Sequence, residues 1–143
     1  MTGDLILRIV AKLLMPFMLL FAVYVQLHGD YGPGGGFQAG VIAAAAIVFY
    51  AITFGLGAAQ RLVPERVVER LLAAGVLLYA GVGFAGLLAG GAYLDYFVLD
   101  RDAVQGQHRG IFWIEAGVAI TVAGVMLKLF YMFADRGRDG EGE

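Results

Sequence analysis

Four apolar runs, at residues 5–27, 37–57, 71–90 and 111–134, leave this chain few ways to fold. Each is close to the roughly 20 residues that a helix needs to cross a bilayer's hydrocarbon core. Lipid offers no hydrogen bonds to the backbone, so such runs must be helices, and the alternating pattern of a membrane barrel is missing. The sequence therefore predicts an all-α integral membrane protein with four transmembrane helices in one domain, 1–134. Polar breaks fall at 28–36, 60–70 and 95–109, and a charged tail follows at 135–143.

Composition agrees with a lipid solvent. The chain is 60% hydrophobic, against about 45–50% in ordinary globular domains. Once four spans are set aside, the 143 residues leave room only for short loops and tails. A net charge of −2 without a clustered basic surface argues against nucleic acid as a partner. Cysteine is absent, which removes disulfides, thiolate catalysis and iron–sulfur ligation. Arg8 and Lys12 before an apolar stretch imitate a secretory signal, but the run continues to Leu27 with no small-residue cleavage pattern.

Positive charge sets the expected orientation. With the N-terminus inside, the cytoplasmic side holds Arg8, Lys12, Arg61, Arg66, Arg70, Lys128, Arg136 and Arg138, and the outer side only Arg101 and Arg109. Both termini are then cytoplasmic. Lys12 and Lys128 lie within snorkelling reach of the headgroups. Tyr31, Tyr93, Tyr96 and Trp113 suit an outer aromatic belt, and Tyr131 an inner one. Among 22 glycines, Gly86 and Gly90 form a small-xxx-small pattern that predicts close helix packing, and Ala39, Ala43 and Ala46 add a second small face.

Two places can carry chemistry. The first is the connection between the first two spans, which runs from His28 through Asp30 to Pro33, Gly34, Gly35, Gly36 and Phe37. Consecutive glycines after a proline favour a tight turn whose bare backbone can approach an anion or a neighbouring subunit. No Gly-Lys-Ser or Gly-Lys-Thr follows, so it is not a phosphate-binding loop. His28 can relay protons at the mouth of a pathway or simply hydrogen-bond at a helix end. The second place is Glu115, set among apolar residues near the start of the fourth span. An intramembrane acid is costly unless paired or hydrated, so it is a candidate to carry a proton or exchange it for a cation; an interfacial carboxylate near a helix N-terminus is the plainer alternative. Gln26, Gln38, Thr53 and Thr121 are expected to be satisfied by hydrogen bonds within or between helices. Residues 95–102 read as a solvated acidic loop. His28 and His108 are the only histidines and lack metal-binding spacing, so no metal site is expected.

The run Pro16-Phe-Met-Leu-Leu-Phe-Ala-Val-Tyr-Val-Gln-Leu-His-Gly29, followed by Pro33-Gly-Gly-Gly-Phe37 and Gly40, resembles the signature of the MrpB (MnhB) family. These are small four-helix subunits of Mrp-type multisubunit Na+/H+ antiporters of bacteria. Trp113-Ile-Glu-Ala-Gly117 resembles the family's Phe-acid-x-Gly pattern, with Glu115 where the family usually has Asp. Asp30 stands where the family often has a second His. The resemblance implies a bacterial plasma-membrane subunit of a secondary active transporter, with Na+ and H+ as the transported ions, no cofactor and no catalysis of its own. Its partners would be membrane lipid and other subunits, including large proton-pumping ones. By the same resemblance, the 33–37 turn is functional, and Glu115, His28 and Asp30 are ion-pathway candidates.

Two alternatives stay open: a homologous ion-translocating subunit of a hydrogenase or formate-hydrogen-lyase complex, and a purely scaffolding subunit. A self-sufficient small multidrug exporter would need a membrane-embedded Glu in the first span, which has none.

Overall fold

The computed structural model describes residues 2–29 and 32–139. Helix α1 runs Thr2–His28, α2 Gly36–Phe54, α3 Leu56–Leu62, α4 Glu65–Leu88 and α5 Ala103–Asp139, with a 3-10 turn at Phe97–Leu99 before α5. No strand occurs among the described residues. Leu5–His28, Gly36–Phe54, Glu65–Leu88 and Ala103–Arg136 are long and apolar enough to cross a membrane. The fold is the expected all-α membrane protein, with one short helix more than hydropathy shows.

The differences lie in the polar breaks, because a helix in water needs no apolar residues. Segment 60–70 is mostly helical. Gly55, at φ 93°, separates α2 from α3 and still donates its N–H to the Ala51 carbonyl at 2.8 Å. Val63, extended as a residue before proline tends to be, ends α3. Pro64 then opens α4 by accepting the Val67 N–H at 2.8 Å. At the other break, Asp102 accepts the Val104 N–H at 2.9 Å, an N-cap that starts α5 eight residues before the apolar run. The same helix continues into the charged tail as far as Asp139.

In space the long helices stand in the order α1, α2, α5, α4. Helix α5 packs extensively on both α2 and α4, whereas α1 packs on α2 and only slightly on α5. Small residues make the two seams of α5. A methyl group added at Gly40 would lie 2.6 Å from the Ala119 carbonyl oxygen; one at Gly75 would lie 2.8 Å from that of Gly117. Such backbone proximity drives helix association in lipid, where apolar side chains gain nothing from leaving their solvent.

Neither Gly86 nor Gly90 sits at a seam between helices of this chain. Helix α4 ends at Leu88, and Gly90, at φ 90°, lies beyond it with nothing within 4 Å of an added methyl. The Gly90 N–H reaches the Leu87 carbonyl at 3.1 Å and the Gly91 N–H reaches Gly86 at 3.0 Å, a glycine C-cap that satisfies the last carbonyls. Gly86 instead gives room to the loop that follows, against the Ala92 and Asp95 carbonyl oxygens.

The buried core lies at the opposite end, around Ala44, Ile47, Ala51, Ala59, Val68, Leu127 and Tyr131. Tyr131, expected in an aromatic belt, is 1% exposed. Its hydroxyl donates towards the Val63 carbonyl at 3.1 Å, just past the end of α3, and towards the Ala59 carbonyl at 3.4 Å, which already accepts the Val63 N–H at 2.8 Å.

Charges gather at this same end. Arg8 and Lys12 lie over the Phe54 ring, 5.9 and 5.6 Å from its centroid. Lys128 does more than snorkel: its Nζ bonds Glu65 at 3.0 Å and Glu69 at 2.8 Å, two carboxylates one turn apart on α4. The starts of α1 and α4 and the ends of α2 and α5 therefore share one side of the layer. Gly29, residues 32–35 and the 89–102 connection lie on the other.

Candidate ion-pathway site

Helix α1 ends in Gln26, Leu27 and His28, and the chain must reverse at once to enter α2. The Gly32 N–H returns to the His28 carbonyl at 3.1 Å, and the Gly35 N–H to the Val25 carbonyl at 3.1 Å. Gly35 adopts φ 114° and ψ −176°, a conformation essentially confined to glycine. Pro33 and Phe37 face outward, Phe37 at 61% exposure, while Gly35 and Gly36 are buried.

What buries them is Glu115. A methyl at Gly29 would lie 2.6 Å from Glu115 Oε2, and one at Gly35 would lie 2.8 Å from Oε1. A methyl at Gly36 would collide with the Glu115 backbone carbonyl. The carboxylate thus lies across both ends of the turn, and the glycines are the residues that admit it. This joins two features far apart in sequence, the glycine turn and the acid of the last span.

Glu115 also lines a cavity of about 240 Å³. Its polar groups are Gln26 from α1 and His108, Arg109 and Glu115 from α5; Leu27, Phe112 and Trp113 supply apolar walls. His108 and Arg109 are exposed and Glu115 is half-buried, so the cavity runs from solvent towards the carboxylate. Arg109 pairs with Asp100 at 2.7 Å.

Gln26 departs from expectation. Thr53 and Thr121 bond the carbonyls four residues before them, at 2.9 and 2.8 Å, but both amide atoms of Gln26 are buried without a hydrogen-bond partner. Leaving such a group unpaired is costly.

His28 is not part of this cavity. Its ring stacks on Tyr24, with centroids 5.3 Å apart and planes 17° from parallel. Asp30 lies outside the described residues. The acidic loop is used locally: Asp95, Asp100 and Asp102 accept nearby backbone N–H groups. Tyr96 lies against Gly110, and burial pushes its phenol above the usual range, helped by Tyr79 and Tyr93. Among the described residues no three His, Cys, Asp or Glu side chains gather to hold a metal ion.

His108 and Arg109 escaped sequence reasoning because 95–109 reads as a break. A signal was present: Asp102 followed three residues later by Gln105 is a helix-start pattern. With the helix begun there, 108, 112 and 115 fall on one face. Nothing local marks Gln26 as a polar group left unsatisfied.

A family model described as a domain related to the MnhB subunit of Na+/H+ antiporter matches residues 6–128. The chain is 28% identical over 131 residues to a Na(+)/H(+) antiporter subunit of Alkalihalophilus pseudofirmus, covering 85% of this chain and 90% of that one. It is 34% identical over 95 residues to a Na(+)/H(+) antiporter subunit of Bacillus subtilis, covering 66% of each. An uncharacterized protein of Methanocaldococcus jannaschii is 35% identical over 92 residues, which are 64% of this chain and 35% of that longer one.

Proposed function

This chain belongs to the MnhB family, and from that premise we propose that it is a small membrane subunit of a multisubunit Na+/H+ antiporter in a bacterial plasma membrane. It has no catalytic chemistry of its own. Its partners are the other subunits of the antiporter, large proton-pumping chains among them, and its termini face the cytoplasm, where the excess of Lys and Arg falls.

The observation that carries a part in transport is the placement of Glu115. A half-buried carboxylate in a cavity that also holds His108 and Arg109, held across the α1–α2 turn, suits a group that binds a proton and a cation in alternation. Protonation neutralises it and releases the cation; deprotonation restores the negative site. The glycine turn of Pro33 to Phe37 holds this carboxylate in place, and Asp30 and His28 border it in sequence.

Copurification of the tagged chain in mild detergent tests the assignment to an antiporter. Recovery with large antiporter-like membrane subunits is expected. Recovery with nickel-iron hydrogenase subunits, or alone, contradicts it.

A further inference from the structure

We propose that His108 is the outer proton relay for Glu115, and that the cavity between them is a port for protons. This rests on the reading of Glu115 as an ion-carrying group and adds the route by which its proton arrives.

His108 and Glu115 line the same cavity, one exposed and one half-buried. They are seven residues apart on α5, two turns, or about 10 Å along the axis. Water can bridge that separation. The cavity volume of about 240 Å³ has room for several waters at about 30 Å³ each. The Gln26 side chain forms part of the cavity wall, with its amide atoms buried behind that surface.

Groups from three elements face the cavity. From α5 come His108, Arg109 and Glu115, and from the α4–α5 connection Asp100, which pairs with Arg109. Helix α1 contributes Gln26 and Leu27, neither of which titrates, and His28 beyond them is stacked on Tyr24. With Arg109 neutralised by Asp100 at 2.7 Å, the His108 ring is the group at the mouth suited to take up and release a proton. Imidazole also changes charge nearest physiological pH. In the step proposed, a buffer acid or hydronium protonates the His108 ring. The imidazolium gives a proton to the water chain, and the chain delivers one to a Glu115 carboxylate oxygen. The imidazole returns to neutral and Glu115 becomes an uncharged acid.

The test uses the assembled antiporter in vesicles, with Na+-driven proton exchange followed while buffer concentration is varied on each side in turn. H108A should slow exchange about a hundredfold when buffer is dilute on the face that carries His108, leave the apparent KM for Na+ unchanged, and be restored by imidazole added on that face. H108Q should behave in the same way. A wild-type rate at every buffer concentration overturns the proposal, and so does a slow rate that imidazole does not restore. E115Q in the same vesicles separates the two levels. If it abolishes exchange while H108A is normal, the relay is wrong and the carboxylate's role stands; if it leaves exchange intact, the reading on which the relay rests falls.

Discussion

Glu115 and Gly35, 80 positions apart in sequence, meet so closely that a single methyl on Gly35 would lie 2.8 Å from the Glu115 carboxylate. Gly35 also adopts φ 114°. Gly35→Ala therefore meets backbone strain on the order of 1–3 kcal/mol and a crowded carboxylate besides. Thermal unfolding of the purified chain in detergent should shift downward. Gly32→Ala, whose methyl would meet only the edge of the His28 ring at 3.2 Å, should shift it much less.

The seams of α5 predict which helix glycines matter. Gly75→Val would push α4 off α5, because a methyl there already falls 2.7 Å from the Thr121 backbone nitrogen. Gly81 has nothing within 4 Å of an added methyl. Gly81→Ala should be neutral or stabilising by up to about 1 kcal/mol, from helix propensity. Detergent melting of the pair should separate them clearly, and equal effects would mean the seam is misplaced.

Tyr131→Phe removes one oxygen from the buried core and takes away the donor of the Val63 carbonyl, while the Ala59 carbonyl keeps the Val63 N–H. A loss of about 1–3 kcal/mol is expected for a carbonyl stranded this way. Denaturant unfolding in mixed micelles measures it. Phe130, the neighbouring aromatic, is only partly buried and makes no such bond, so Phe130→Leu should cost less.

Topology is directly testable. Reporter fusions at either terminus should read as cytoplasmic, and reporters inserted at 30–31 or near Asp95 as external. Termini on opposite sides would contradict the four-span layer, and both termini outside would reverse its orientation.

The four spans were legible because lipid imposes one requirement, about 20 apolar residues per crossing, and their number follows from counting. The helix ends were less so. Asp102 and Pro64 start helices in polar sequence, where hydropathy carries no signal. The site was half legible: the glycine run and Glu115 each stood out, but nothing local says that one lies on the other. That contact depends on α5 passing beside α2, a tertiary fact. His108 was hidden for the same reason as the start of its helix, and Gln26 because satisfaction of an amide depends on its neighbours in space.

The central claim is that the carboxylate lying across the turn carries ions. Na+-dependent proton exchange by the assembled complex, compared between wild type and E115Q in vesicles, tests it most directly. Gln keeps the shape and removes the charge, so assembly should be intact and exchange lost, while E115D should retain part of it. Undiminished exchange by E115Q in a fully assembled complex would contradict an ion-carrying role for Glu115 and leave this chain only a scaffolding one.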